Sequence, residues 1–135
     1  MSATLRNFVR DRAVARCEYC RLPDDAAPVS TFHIEHVIAK QHGGLDETAN
    51  RAWCCQKCNL HKGPNLSGID PLTDHVVRLF DPRKQSWNRH FEWLGAVLLG
   101  RTQIGRATVA VLNVNDPQRV ALRLVLMENG DWPLS

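Results

Sequence analysis

The stretch His33-Ile34-Glu35-His36-Val37-Ile38-Ala39-Lys40-Gln41-His42-Gly43-Gly44 places three imidazoles and a carboxylate within ten residues. It lies between two Cys-x-x-Cys pairs, Cys17/Cys20 upstream and Cys55/Cys58 downstream. Thiolates two residues apart can reach one ion while the backbone turns between them, and two such pairs complete a tetrahedron. A redox dithiol competes for either pair alone. Two pairs in one chain favour zinc, held in a closed four-sulfur site with no open position, hence structural. The fifth cysteine, Cys54, makes the count odd and argues against a disulfide framework. Its neighbours Ala52 and Trp53 read as strand, with register competition against Cys55 as the alternative.

Outward from this stretch the local signals are uneven. Ser2 or Thr4 can cap a first helix, with Leu5, Phe8, Val9 and Ala13 at helical spacing, ending near Arg16. Arg21 to Pro28 reads as a loop, and Thr31 to Ile38, rich in β-branched and aromatic residues, as a strand. Side chains alternate along a strand, so His33 and Glu35 share a face and His36 points to the other. Gly43-Gly44 breaks the chain, Leu45 to Asn50 reads as a polar turn or short helix, and Arg51 to Cys54 as a second strand. Asn59 to Lys62 forms one helical turn that Gly63-Pro64 cuts short. In the C-terminal half, Asn65 to Asp81 reads as a loop with short ordered pieces, and strand structure centres on Phe91 to Leu94. Thr102 caps a helix through Leu112, and Asp116-Pro117 starts a last helix ending at Asn129-Gly130. This half reads as packing rather than chemistry, with Trp53, Trp87, Phe91 and Trp93 assigned to the core.

A chain of 135 residues is read as one domain, 1–135. No apolar run approaches a membrane span and the N-terminus lacks an apolar signal region, so the expected location is cytoplasmic. The net charge of +3 is compatible with a polyanionic partner and weak evidence for one. Neither a phosphate-binding G-x-x-x-x-G-K-[ST] loop nor a Gly-x-Ser-x-Gly elbow is present, which leaves nucleotide-driven and serine-hydrolase chemistries without support.

Glu35-His36, Gly43-Gly44, Asn50 and Cys55-x-x-Cys58-Asn59-x-x-Lys62 form an ordered set that resembles the HNH endonuclease family. The motif covers residues 17–63, and the rest, 64–135, reads as a packing extension. Softer likeness to small stand-alone prokaryotic members runs through Asp70-Pro71, Asp81-Pro82-Arg83 and Asn115-Asp116-Pro117. The resemblance implies an α+β fold built on a ββα-metal (His-Me finger) module. Two antiparallel strands and a helix surround a divalent ion, braced here by the four-cysteine zinc site, with further C-terminal strand and helices. It implies His36 as general base on the attacking water, Glu35 and Asn59 as ligands of the catalytic ion, and Asn50 as the residue that holds the loop and orients the base. An imidazole, which ordinarily titrates near neutrality, suits a general base. One carboxylate and one amide oxygen leave positions for water and phosphate, which suits Mg²⁺ or a similar divalent cation. His33 and His61 are further candidates at the ion. Ala39 stands where the family usually has proline, Glu35 where Asp is commoner and Asn59 where many members have His.

Lys40, Lys62, Arg12 and Arg16 are the expected contacts to a DNA backbone. The reading is therefore a metal-dependent endonuclease acting on DNA, with zinc as structural and Mg²⁺ or another divalent ion as catalytic cofactor. Two rivals stand beside it: a non-catalytic zinc-stabilised nucleic-acid-binding module, and a zinc-stabilised interaction domain with no nucleic-acid role. Glu35-His36 with Asn59 separates them, because a purely structural zinc domain has no need of those side chains. Substrate specificity and oligomeric state are not encoded in any recognisable motif.

Overall fold

Cys17 and Cys20 sit in a tight turn that the rest of the N-terminal half must reach, and this decides where the first helix stops. The computed structural model describes residues 3–26 and 31–132. Helix α1 spans Ala3–Arg12 and buries Val9. It ends four residues before the expected Arg16, because Val14 and Ala15 take left-handed backbone conformations with φ of 56° and 57°. A β-branched residue rarely adopts that region. Here it turns the chain so that Cys17 N–H donates to the Leu22 carbonyl at 2.9 Å and closes the first cysteine turn. Thr4 lies inside α1 rather than capping it; Ser2, and Ala27 and Pro28 of the expected loop, lie outside the described residues.

Strands β1 (His33–His36) and β2 (Arg51–Cys54) pair antiparallel, with Glu35 opposite Ala52 and His36 opposite Arg51. β1 is half the expected length. Beyond it, Val37 N–H donates to the Asn50 carbonyl, and the Asn50 side chain takes over the pairing with Ile38. β2 is buried throughout, and its other edge is covered by the first cysteine turn. Glu18 N–H donates to the Trp53 carbonyl at 2.9 Å, and Trp53 N–H donates to Glu18 Oε2 at 2.9 Å. Helix α2 spans Gln56–Lys62 and starts three residues earlier than expected, because the second cysteine turn is itself the helix start. Cys55 occupies the cap position, with its sulfur accepting from Cys58 N–H.

The C-terminal half contains two more hairpins and three helices. β3 (Ser67–Ile69) pairs with β4 (Val76–Arg78), where a loop with ordered pieces was expected. A single-turn helix α3 (Trp87–His90) precedes the hairpin of β5 (Phe91–Leu94) and β6 (Val97–Gly100). Helix α4 (Gln103–Val111) is capped by Thr102, whose Oγ1 accepts from Gly105 N–H at 3.1 Å. Helix α5 (Pro117–Glu128) starts and stops where Asp116-Pro117 and Asn129-Gly130 indicate, although the Asp116 side chain makes no cap hydrogen bond.

One apolar cluster runs through both halves, from Val9, Tyr19, Phe32 and Trp53 to Phe80, Phe91, Leu98 and Leu112. Trp87 joins it by donating its indole N–H to the Tyr19 carbonyl at 2.8 Å, and Arg83 pairs with Glu18. The aromatic residues assigned to the core are there, with Trp93 partly buried. Among the described residues no helix is long and apolar enough to cross a membrane.

Asp70 is fully buried in the turn after β3 and accepts a two-pronged bond from Arg106 of α4 at 2.8 and 2.9 Å, besides bonds from Thr73 and Leu72. The Arg106 hydrogen bonds hold its carboxyl below the ordinary value of 3.8. A carboxyl depressed on folding contributes stability that is present above the ordinary value and lost as pH falls through the folded one. We expect Asp70→Asn to melt at a lower temperature than wild type at pH 7, with the gap closing below about pH 4. Thermal melts across that range check it; a gap that does not change with pH would contradict the assignment.

Candidate metal centre and active-site cleft

The two cysteine turns bring four sulfurs together. One ligand atom from each of Cys17, Cys20, Cys55 and Cys58 lies within 4.8 Å of the others, and all four residues are buried. Cys20 Sγ is 3.7 Å from Cys55 Sγ. A tetrahedral ion with metal–sulfur bonds of about 2.3 Å requires sulfurs about 3.8 Å apart, so the set fits a four-thiolate metal centre. Cys54 is buried outside this group and donates its thiol to the Cys55 carbonyl, which resolves the register in favour of Cys55 as ligand. Arg119, from α5, donates to Cys58 Sγ at 2.9 Å.

A second cleft opens on the far end of β1. Ile34, Glu35, His36, Ala39, Lys40, Asn59, Gly63 and Pro64 line a cavity of about 300 Å³. It thus gathers Glu35 and His36 from β1, Asn59 from α2 and Lys40 from the following loop. Glu35 is 6% exposed. Tyr19, seated between the two cysteines of the first turn, donates its hydroxyl to Oε1, and Lys62 Nζ stands 3.4 Å from Oε2. Burial pushes the Glu35 carboxyl up to about 7, against the opposing pull of Lys62 and of the Tyr19 hydrogen bond. An ionised carboxylate has about four acceptor positions, and these two donors occupy two, leaving capacity for a cation from the cleft side.

His36 is partly exposed, and its Nε2 is 2.6 Å from Asp46 Oδ1. Asp46 is exposed and also reaches Lys40 at 3.0 Å and Arg51 at 3.6 Å. Its carboxyl is lowered by the hydrogen bonds from His36 and Lys40. Asp46 and Tyr19, the partners of His36 and Glu35, are residues that sequence reasoning missed. Asp46 lay in what read as an ordinary polar turn, and Tyr19 between two cysteines whose own role absorbed attention.

The loop that carries Lys40 and Asp46 is closed by Asn50. Ile38 N–H donates to Asn50 Oδ1 at 2.9 Å, while Asn50 Nδ2 donates to the Ile38 carbonyl at 2.9 Å and the Leu45 carbonyl at 3.0 Å. Gly44 lies under this clasp: a Cβ there would stand 1.7 Å from the Ile38 carbonyl oxygen. Gly43, at φ 90°, ends the short turn Lys40–His42 in a left-handed conformation.

Other expected site residues fall elsewhere. His33 and His61 do not line the cleft, and His61 is exposed on α2. Lys62, expected at a nucleic-acid backbone, is 2% exposed. It is the internal counter-ion of Glu35 and donates to the Val37 carbonyl at 2.9 Å. Arg12 donates to the Thr48 and Arg51 carbonyls at 3.0 and 2.7 Å, and so fastens α1 to β2. Arg16 donates to the Arg21 carbonyl at 3.3 Å and lies away from the cleft. Three of the four expected phosphate contacts are thus engaged with the protein's own backbone, because bent loops and strand ends present carbonyls that arginine and lysine satisfy. Lys40 alone of the four is both exposed and at the cleft.

The order of these parts, from the first cysteine turn through β1, the Asn50-closed loop, β2 and the second cysteine turn, has a counterpart among known families. Residues 17–65 match the HNH endonuclease family. The matched segment is a little over a third of the 135 residues and contains the four cysteines of the cluster, Glu35, His36, Asn50 and Asn59. The family so matched is one of endonucleases. No curated protein and no solved structure gives a significant match to the chain.

Asn50→Ala removes three hydrogen bonds and leaves the Ile38 amide and carbonyl unpaired, an expected loss of about 2–3 kcal/mol. Gly44→Ala forces a shift of the same loop at a cost of about 1–3 kcal/mol. Urea unfolding of each variant measures this; values within 0.5 kcal/mol of wild type, about the range of an ordinary surface substitution, would contradict the clasp.

Proposed function

We propose that the chain, read as one unit over 1–135, is a metal-dependent HNH-type endonuclease that hydrolyses phosphodiester bonds in DNA. What carries the reading is the convergence of Glu35, His36 and Asn59 on one cleft inside the matched segment. A carboxylate, an imidazole and a carboxamide are the parts that metal-assisted hydrolysis requires. β1 supplies Glu35 and His36, α2 supplies Asn59, and β2 pairs with β1 between them, an order of strand, strand, helix that supports a ββα-metal arrangement. The four buried thiolates support zinc as a separate, structural ion.

Glu35 Oε and the Asn59 amide oxygen are the groups that would hold a catalytic ion, with Mg²⁺ the choice their hard oxygens favour. A divalent cation bound there supplies charge neutralisation at the phosphate and leaving oxygens. His36 takes the proton from the attacking water. Asp46 occupies its Nε2 in the free protein, and an entering phosphate repels that carboxylate. Being exposed, Asp46 can withdraw to Lys40 and Arg51, its other two partners. Asn50 keeps the backbone after His36 fixed, and Tyr19 and Lys62 fix the Glu35 carboxylate from behind. Lys40 is the exposed cation at the mouth of the cleft that faces an incoming phosphate.

Plasmid DNA incubated with the protein and Mg²⁺, Mn²⁺ or Ni²⁺ is expected to be cleaved, and His36→Ala to lower the rate by roughly 10²- to 10⁴-fold, the usual worth of a positioned base. Metal-dependent cleavage that survives His36→Ala would sink the mechanism. Salt-sensitive DNA binding with no cleavage under any ion would instead identify a non-catalytic binding module.

A further inference from the structure

Arg119 and Arg123 are one turn apart on α5, and both are more than nine-tenths buried. The oxygens that each meets are uncharged. Arg119 donates to the carbonyls of Leu112 at 2.7 Å and Asn113 at 3.2 Å. Arg123 donates to the carbonyls of Ala96 at 2.6 Å and Val114 at 3.0 Å, and to Asn115 Oδ1 at 3.1 Å. Carbonyls provide hydrogen bonds but no net charge. Among the described residues neither guanidinium has a carboxylate within ion-pair distance. Burying one uncompensated cation costs several kcal/mol, and two side by side cost more.

The compensating charge is at hand. Arg119 Nη2 is 2.9 Å from Cys58 Sγ and 3.9 Å from Cys55 Sγ. Four thiolates around one divalent ion carry a formal charge of −2, since 2 − 4 = −2, and two guanidiniums carry +2. The neighbouring cations Arg21 and Lys57 keep access to solvent and need no such partner. We infer that the metal centre is a charge-balanced unit of six side chains, in which Arg119 donates directly to the thiolates and Arg123 completes the neutralisation. The C-terminal helix α5 is then part of the metal site, and ion binding and helix docking are thermodynamically linked. The inference rests on the four-thiolate reading and is independent of the nuclease reading. It makes Arg119 a positioning and charge-balancing residue, acting through the cysteines.

The test is zinc retention by the purified full chain against a chromophoric chelator, which can approach through the cavity of about 240 Å³ that Cys20, Cys55 and Arg119 line. Arg119→Met is expected to weaken zinc binding by roughly 10- to 100-fold, the usual effect of losing a group that supports metal ligands. Arg119→Lys, which keeps the charge but not the fork, is expected to recover part of the loss. Asp70→Asn serves as a control that lowers stability away from the metal and should leave zinc affinity unchanged. Zinc affinity equal to wild type in folded Arg119→Met would overturn the inference, whatever its melting temperature. Where Arg119→Met does not fold, Arg119→Lys decides: several-fold weaker zinc supports the inference and unchanged affinity overturns it. A wild-type chain that binds no zinc removes the four-thiolate reading itself, while the plasmid assay bears on the nuclease reading alone.

Discussion

The meeting of four sulfurs from two turns, with Cys20 and Cys55 35 residues apart in sequence, is the constraint on which the N-terminal half depends. It stops α1 early, starts α2 early and draws the first cysteine turn against the open edge of β2. The segment between the turns has its two ends fixed at one point. Within such a closed loop a short hairpin is the economical way to pair backbone groups, and β1 and β2 form it. The strand that results carries Glu35 and His36 side by side at its end, where the alternation of a strand would otherwise send them to opposite faces. Their shared cleft lies where β1 stops at His36 and Ala39, Lys40 and Asn59 border the same space.

Two of the buried charged groups flank the first cysteine turn. One is Glu35 with Lys62 and Tyr19, in which a carboxylate and an ammonium enter the interior together and share a phenol and backbone carbonyls. The other is the thiolate cluster with Arg119. Tyr19 belongs to both: its backbone is part of the first cysteine turn and its hydroxyl holds Glu35. A distortion of the metal centre therefore reaches the cleft through one rigid ring rather than through a flexible loop. Buried ionic groups of this kind stabilise weakly once desolvation is counted, but breaking one partner is costly. Their effect is to fix geometry.

What was legible in the sequence was local. The span of β2, the Thr102 cap, the Pro117 start of α5 and the four-cysteine set each follow from signals within a few residues, and each is where the residues put it. What was illegible depended on partners distant in the chain. The left-handed pair Val14-Ala15 is imposed by closure of the cysteine turn, against local preference. Lys62, Arg12 and Arg16 look like surface cations because nothing in their neighbourhood names the carbonyls they meet across the fold. Arg119 lies 61 residues from Cys58, and the C-terminal half that read as packing supplies this thiolate donor. The match to the HNH family agrees with the spacing of the cleft residues, while the geometry of Tyr19, Asp46 and Lys62 around them comes only from the folded chain.

Asn50 also has a consequence for how the molecule tolerates change. Its amide and backbone together supply the hydrogen bonds of a strand residue to Val37 and Ile38, so the segment between them is a ring closed at a single neck. Closure entropy grows slowly with ring size, about 0.6 kcal/mol for each doubling in length. Residues at the far side of that ring, around Gln41 and Glu47, can therefore be lengthened or exchanged at little thermodynamic cost while the neck stays in register. The backbone of His36 is insulated from changes in the length of the loop that follows it, and only its side chain, through Asp46, still meets that loop.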